Sequence, residues 1–213
     1  MYILHFWPDS AALIIRLVLT ELGLPHEALL IDRAGGALNS KAYRAMQPLG
    51  LMPVLETPDG PMFETAAILL YLCDRHPGLA PPPESPERAA FLKWLFYTSS
   101  NIHPVVLQLF YPERTAGREN AEAVLGAARA KMTELLAILE EMVARDRPAF
   151  LSDRQPTALG YYLAVLLRWL AGDFPSASYP ALRRVLDYLE TRPATLTLAA
   201  AEALGPIPFT DPT

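Results

Sequence analysis

The stretch that decides the fold is residues 51–69, which read LMPVLETPDGPMFETAAIL. Two short segments, Pro53–Glu56 and Pro61–Phe63, flank the turn sequence TPDG at 57–60, and this pattern predicts a β-hairpin. The residues from Thr65 to Arg75 are apolar on most faces, as in a buried helix. The stretch therefore predicts two antiparallel strands followed directly by a helix.

A strand, a helix and a second strand precede this hairpin. Tyr2–Phe6 is short, aromatic and apolar, which is typical of a strand. Ala11–Leu22 repeats leucine, isoleucine and valine at helical spacing, and a second strand is predicted near Ala28–Ile31. With a short helix at Lys41–Ala45, the order is βαβ, a loop helix, then ββα, which predicts a small mixed sheet covered by helices.

The composition changes after the hairpin and its helix. Residues 77–86 contain five prolines, which disfavour a helix and predict a semi-rigid extended linker. Beyond the linker, strand patterns nearly vanish. Helices are predicted at Pro86–Phe110 (with Ser85 as its cap), Glu119–Arg145, Thr157–Ala171, Tyr179–Thr191 and Thr195–Ala203. The predicted fold class is α/β plus all-α, with a first domain at 1–76, a linker at 77–86 and an all-helical domain at 87–213.

Composition limits the function classes. The chain has 213 residues, of which 52% are hydrophobic, and its formal net charge of −5 argues against a nucleic-acid partner. Cys73 is the only cysteine and the N-terminus lacks the pattern of a signal peptide, so we expect a cytoplasmic protein. The most apolar stretch, Ala158–Leu167, is too short to span a membrane, and the four histidines lack the spacing of metal ligands. Neither a membrane nor a metal is therefore expected as a partner.

Residues 51–55 and 63–69, the order of the elements and the proline linker together resemble the cytosolic glutathione transferase family. The resemblance extends over essentially the whole chain. It implies a thioredoxin-like N-terminal domain that binds glutathione as a co-substrate, and a helical domain that carries the site of a small hydrophobic electrophile. It also implies a homodimer, although the sequence itself shows no distinct interface patch.

The resemblance assigns five residues to glutathione. In the family the proline that matches Pro53 is cis, which leaves the backbone of Met52 to pair with an extended peptide ligand; the alternative is an ordinary strand proline. Glu64 is expected to pair with the ammonium of glutathione. Thr65 is expected to cap the following helix, whose free N–H groups favour a carboxylate; the alternative is a plain N-cap preceded by an exposed acid. Gln47 is expected to make a peripheral contact.

The residue that activates the thiol is expected near the start of the first helix. Glutathione reacts as its thiolate, and an unperturbed cysteine thiol has a pKa of about 8.5, which a hydroxyl donor at a helix N-terminus lowers. Family members place Tyr, Ser or Cys in this region, where the chain reads HFWPDSAA at 5–12. Ser10 is the only hydroxyl there and is the predicted catalytic residue. The alternative is that Ser10 or Asp9 serves only as the N-cap of the helix.

The helical domain narrows the resemblance. Residues 91–104, FLKWLFYTSSNIHP, are similar to the bacterial beta class, in which a Trp-Leu pair is followed by a Leu-His-Lys triplet. The catalytic histidine of that class matches His103, its lysine falls on Pro104 and its cysteine falls on Ala11. A mixed disulfide through a protein cysteine is therefore excluded at that position, and Cys73 is expected to be an inert buried thiol. His103 is either a polar wall of the electrophile site or a histidine satisfied between the domains.

Three aromatic residues are candidates for the electrophile pocket, with a place in the core as the alternative: Trp94, Tyr97 and Tyr111. The leading hypothesis is a transferase that joins glutathione to hydrophobic electrophiles. One alternative is a glutathione-dependent reductase or isomerase on the same scaffold. Another is a non-catalytic protein that binds glutathione, a hydrophobic ligand or a partner protein.

Overall fold

The N-terminal domain is built on a mixed sheet. The computed structural model describes residues 1–212 and places four strands in the order β2-β1-β3-β4. The strands are β1 (Tyr2–Phe6), β2 (His26–Leu30), β3 (Val54–Thr57) and β4 (Gly60–Met62). β1 pairs with β2 in parallel and with β3 antiparallel, and β3 pairs antiparallel with β4. The helices of this domain are α1 (Ala12–Glu21), α2 (Lys41–Met46) and α3 (Thr65–Arg75). This βαβ–ββα order confirms the predicted fold class.

The strand limits differ slightly from those predicted. The second strand begins at His26 instead of Ala28, because its parallel pairing with β1 starts at Tyr2 opposite His26 and ends at Phe6 opposite Leu30. Polar residues at the start of an edge strand hide it from a search for apolar runs. Both hairpin strands are displaced by one residue toward their turn, where the Thr57 hydroxyl donates to the Gly60 carbonyl at 2.8 Å.

The second domain is helical from Arg88 onward. Its helices are α4 (Arg88–Tyr97), α5 (His103–Phe110), α6 (Glu113–Ala116), α7 (Ala121–Asp146), α8 (Ala158–Leu170), α9 (Pro180–Glu190) and α10 (Pro193–Ala201). A turn of π-helix at Thr98–Ile102 joins α4 to α5, so the helix predicted to reach Phe110 contains one widened turn. Such turns are frequent at functional sites, and this one directly precedes His103. Within residues 1–212, no helix combines the length and the apolar character that crossing a bilayer requires.

One hydrophobic core joins the two domains. Helix α8 is buried along nearly its whole length and packs against α1 of the N-terminal domain and against α9. The connection between the domains is anchored as well, since the Leu79 carbonyl accepts a hydrogen bond from the Ala158 N–H at 2.8 Å. At the end of α1, the Glu21 carboxylate accepts from the Tyr161 hydroxyl and from Arg192, both at 2.6 Å. These contacts hold the two domains in a fixed position relative to each other.

Candidate active site

A cleft of about 940 Å³ opens between the two domains. We call one side the N-terminal wall, formed by Asp9–Ala11, Arg33, Leu38, Gln47, Gly50–Pro53, Glu64 and Thr65. We call the other side the helical wall, formed by Ser99, His103, Pro104, Val106–Gln108, Phe110, Tyr111, Arg114, Thr115, Tyr162 and Trp169. Eight of the ten predicted site residues lie on these walls: Ser10, Gln47, Met52, Pro53, Glu64, Thr65, His103 and Tyr111.

Met52 and Pro53 lie on the N-terminal wall just before β3. The peptide bond between them is cis, as the family resemblance implies. Sheet pairing begins one residue later, where Val54 lies opposite His5 of β1. Within residues 1–212, neither the N–H nor the C=O of Met52 forms a backbone hydrogen bond outside the regular elements. The backbone of Met52 therefore offers a donor and an acceptor beside the cleft.

Glu64 occupies a strained position between β4 and α3. Its φ of 72° and ψ of 111° are rare for a residue with a side chain, and such conformations cost roughly 1–3 kcal/mol. Its carbonyl accepts the N–H of Ile68 at 3.0 Å, so Glu64 itself takes the N-cap position, and its exposed side chain makes no capping hydrogen bond. Strained residues of this kind cluster at ligand sites.

The prediction that Thr65 caps α3 is wrong. The helix begins at Thr65, and the residue is only 6% exposed, because Glu64 has already taken the N-cap position. A threonine that follows the cap places its hydroxyl inside the first turn instead of in front of it. The first-turn N–H groups of α3 are consequently left without a side-chain cap and lie beside the cleft.

Gln47 is held rigidly at the edge of the N-terminal wall. It is 3% exposed, and its Oε1 accepts the N–H of Leu49 at 2.6 Å. In the part of the chain that the structure describes, the hydrogen bonds of its side chain involve Oε1 and not Nε2. The amide nitrogen is therefore the group that Gln47 offers to a ligand in the cleft.

Ser10 lies on the N-terminal wall immediately before α1. Its hydroxyl donates to the Trp7 carbonyl at 2.7 Å and accepts the N–H of Ala12 at 3.3 Å. The N-cap of α1 is Ala11 and carries no side-chain cap, so the bond to Ala12 is a local turn contact and the alternative that Ser10 or Asp9 is the N-cap is wrong. The proton of the hydroxyl is engaged by Trp7, so it reaches a bound thiolate only after the side chain rotates.

Asp9 is the residue of this loop that the sequence reasoning missed, since it considered Asp9 only as a helix cap. Its φ is 49°, and its N–H donates to Glu202 Oε2 at 2.9 Å. Its carboxylate accepts from Arg168 Nε and Nη2, both at 3.1 Å, and from Trp169 Nε1 at 2.7 Å. All of these partners lie more than 150 residues away along the chain, so no local pattern reveals them.

Arg168 links this loop to the C-terminal segment. Its guanidinium is buried and also donates through Nη1 to the carbonyls of Leu204 at 3.2 Å and Pro208 at 2.9 Å. Glu202 in turn accepts from Arg16 of α1 at 2.8 Å. Residues 202–208, which follow α10, thereby help to hold the loop that carries Ser10.

His103 begins α5 on the helical wall. Its Nδ1 lies 2.8 Å from the Tyr162 hydroxyl, and burial lowers the pKa of His103 to about 4. Burial, and then the nearby charge of Glu64, raise the pKa of Tyr162 above that of a free tyrosine. Both side chains are therefore neutral near pH 7. His103 lines the cleft, and its partner Tyr162 belongs to the same helical domain, so the hydrogen bond does not cross between the domains. A role for His103 in the wall of the electrophile site stays a prediction.

The structure places Trp94 and Tyr97 outside the cleft. Their rings meet edge to face with centroids 5.0 Å apart, and the Tyr97 hydroxyl donates to the Leu135 carbonyl of α7 at 3.1 Å. Both side chains are partly buried against the main hydrophobic core, so the core alternative describes them. Tyr111 does line the cleft, together with Trp169, which the sequence analysis did not identify.

The single cysteine does not contribute to the cleft. Cys73 is buried in α3, and burial raises the pKa of its thiol to about 12, which keeps it protonated. Ala11, at the position of the beta-class cysteine, does line the cleft. Among residues 1–212, no three His, Cys, Asp or Glu side chains come together as a metal site requires.

Known proteins resemble this chain in sequence and in structure. Residues 4–83 match the family model described as Glutathione S-transferase, N-terminal domain. The chain is 28% identical to glutathione S-transferase F10 of Arabidopsis thaliana over 179 residues, 80% of this chain and 73% of that protein. A sphingomonad glutathione S-transferase, solved in complex with glutathione, is 29% identical with a TM-score of 0.77, covering 95% of this chain and 100% of that one. The bacterial beta class enzyme of Sphingomonas chungbukensis, 24% identical with a TM-score of 0.78 over 95% of this chain and 100% of that one, shares the fold.

Proposed function

Because the chain belongs to the glutathione S-transferase family, we propose that it holds glutathione on the N-terminal wall and transfers the sulfur to a hydrophobic electrophile on the helical wall. The observation that carries this proposal is the junction at Glu64. An exposed carboxylate in a strained conformation directly precedes a helix whose first turn has no side-chain cap. The ammonium and the carboxylate of a γ-glutamyl group thus find partners of opposite sign within one turn of chain.

The rest of glutathione fits the same wall as an extended peptide. The backbone of Met52 offers a donor and an acceptor, which pair with the cysteinyl unit as an added strand does. At the far end we assign the glycyl carboxylate to the Gln47 amide and to Arg33, a cation that lines the same wall. The cysteinyl sulfur then lies toward the start of α1.

Two groups at the start of α1 are candidates for stabilising the thiolate. Lowering a thiol pKa from about 8.5 to about 6.5 requires about 2.7 kcal/mol of preferential stabilisation of the anion. The Ser10 hydroxyl contributes when it exchanges the Trp7 carbonyl for the sulfur. The backbone N–H of Ala11, at the positive end of the helix, is the second donor and needs no rotation.

The chemistry we propose is a substitution at an electrophilic carbon. The thiolate sulfur forms the C–S bond, the leaving group departs with its bonding electron pair, and the thiol proton passes to water. Holding both reactants in one cleft and stabilising the thiolate supply the rate enhancement. His103 and Tyr162 contribute hydrogen bonds and no charge, because both are neutral near pH 7.

We further propose that the protein acts in the cytoplasm as a homodimer, as the family resemblance implies. The protonated, buried Cys73 agrees with a reducing compartment, where a lone cysteine has no disulfide to form. Light scattering on the purified chain tests the assembly, and a molar mass of one chain at micromolar concentration would contradict it.

A non-catalytic binder of glutathione is the second candidate function. It is favoured by the bond between the Ser10 hydroxyl and the Trp7 carbonyl, and by Ala11 in place of a cysteine. The two functions separate on immobilised glutathione combined with conjugation of chlorodinitrobenzene. Retention with conjugation supports the transferase, retention without conjugation of any of several electrophiles supports the binder, and loss of both contradicts both.

A further inference from the structure

The helical wall presents one cation to the cleft, the guanidinium of Arg114. Among the described residues of this wall, Arg114 is the one side chain charged near pH 7, since burial keeps His103 neutral. The guanidinium lies over the ring of Tyr111, with its central carbon 3.8 Å from the ring centroid. Within residues 1–212, the ion pairs found do not include Arg114.

The other charges of the cleft already have partners or assignments. The Asp9 carboxylate is neutralised by Arg168. Glu64 and Arg33 lie on the opposite wall, where we assign them to the two ends of glutathione. Arg114 therefore faces the half of the cleft that receives the second substrate, and no carboxylate among residues 1–212 forms an ion pair with it.

The side chains around Arg114 indicate what kind of molecule would bind in this half of the cleft. Leu107 and Phe110, which are 45% and 51% exposed, line the same cleft, and the guanidinium stacks on the ring of Tyr111. An arginine stacked on an aromatic face keeps its edge donors free, and their fork matches a planar carboxylate. The apolar side chains suit an aromatic or aliphatic body.

We propose that the electrophile of this enzyme carries a carboxylate, bound by Arg114, at the end of an apolar body remote from the reacting carbon. This inference rests on the proposed transferase function for its chemistry. It goes further by specifying the charge of the second substrate and the residue that selects it.

A matched pair of electrophiles tests this selection: para-(chloromethyl)benzoate and its methyl ester. In both reactions the sulfur of glutathione forms a bond to the benzylic carbon, chloride leaves with the bonding pair, and the thiol proton goes to water. The two molecules share the reacting carbon and the ring, so they differ mainly in the charge presented to Arg114.

The expected result is a higher kcat/KM for the acid than for the ester in the wild type. Arg114→Gln should lower kcat/KM for the acid roughly five- to tenfold and leave the ester unchanged, because a partly exposed charged hydrogen bond is lost. Arg114→Lys, which keeps the charge without the fork, should restore part of the preference. Arg118→Gln is the matched control, since Arg118 is exposed and does not line the cleft.

A binding measurement separates failure of this inference from failure of the transferase function. Calorimetry with the two non-reacting products, the carboxybenzyl conjugate of glutathione and its methyl ester, requires no turnover. If neither electrophile is conjugated but the acid product binds more tightly in an Arg114-dependent way, the selection of a carboxylate by Arg114 stands and the transferase proposal fails. If both are conjugated at a ratio that Arg114→Gln does not change, the inference is wrong and the transferase proposal stands. Absence of both conjugation and binding overturns both.

Discussion

The two walls of the cleft are built in different ways. The N-terminal wall uses backbone groups and residues close together in sequence, notably Met52, Pro53, Glu64 and Thr65. The helical wall uses side chains from α5, α6 and α8, whose contacts span long stretches of the chain, such as His103 with Tyr162. A wall made of backbone groups suits a ligand that never changes, whereas a wall of side chains is easily altered to accept a different co-substrate.

This difference predicts which changes affect which ligand. Substitutions on the N-terminal wall should alter the binding or the ionisation of glutathione, whichever electrophile is used. Substitutions on the helical wall should alter the choice of electrophile and leave glutathione affinity unchanged. Residues that connect the two walls should affect the stability of the whole chain.

The largest effect is expected from Glu64→Gln, which keeps the size of the side chain and removes its charge. The ammonium of glutathione then loses its ion partner, and we expect roughly 100-fold weaker binding by calorimetry. Glu84→Gln, on an exposed residue of the linker, is the control and should bind normally. If the affinity of Glu64→Gln for glutathione is unchanged, the proposed binding of glutathione to the N-terminal wall through Glu64 is wrong.

Asp9→Asn tests the connection between the walls. Asparagine tolerates the positive φ of this position, so the change mainly leaves the buried Arg168 without a counter-charge. We expect the free energy of unfolding in urea to fall by about 2 kcal/mol, below the full penalty of a buried pair because Asp9 is partly exposed. Asp153→Asn, on an exposed residue, should change the free energy of unfolding little. An equal decrease in both variants would show that the contacts of Asp9 do not stabilise the fold.

His103 provides a test of the helical wall through pH. Its pKa is lowered from 6.5 to about 4 in the folded chain, so below pH 6.5 the unfolded chain binds a proton that the folded chain does not. Stability should therefore decrease as the pH falls from 6.5 to about 5, by about 2 kcal/mol from this residue. His103→Asn should remove that part of the slope in urea unfolding, and an identical slope in both proteins would contradict the buried, neutral histidine.

The smallest effect is expected from Ser10→Ala. If the hydroxyl shares thiolate stabilisation with the N–H of Ala11, the pKa of bound glutathione should rise by about one unit while its affinity stays nearly the same. The ultraviolet absorbance of the thiolate, followed against pH, measures this shift. A pKa that does not move would assign the role to the backbone alone.

The sequence predicted most of the N-terminal wall because that wall is local. A hairpin, a proline and a Glu-Thr pair lie within a stretch of 19 residues, and helix and strand periods locate each of them. The N-cap of α3 was predicted one residue too late, at Thr65 instead of Glu64, because the positive φ of Glu64 sets the start of the helix. A positive φ at a residue other than glycine is rare and is not predicted by a sequence pattern.

The helical wall was harder to predict for the opposite reason. Trp94 and Tyr97 follow the same helical spacing as residues of the cleft, and only the tertiary packing of their side chains against the core decides which way they face. Asp9, Arg168 and Glu202 are far apart in sequence, so their network depends on the tertiary fold. Composition and periodicity carry no information about such contacts.

The most direct test of the central claim is a crystal structure of the protein soaked with glutathione. We expect the γ-glutamyl group at Glu64 and the first turn of α3, and the cysteinyl backbone paired with Met52. The sulfur should lie within about 3 Å of the Ser10 hydroxyl or the Ala11 N–H, a hydrogen-bond distance. Glutathione bound elsewhere, or absent from the cleft at saturating concentration, would contradict the account.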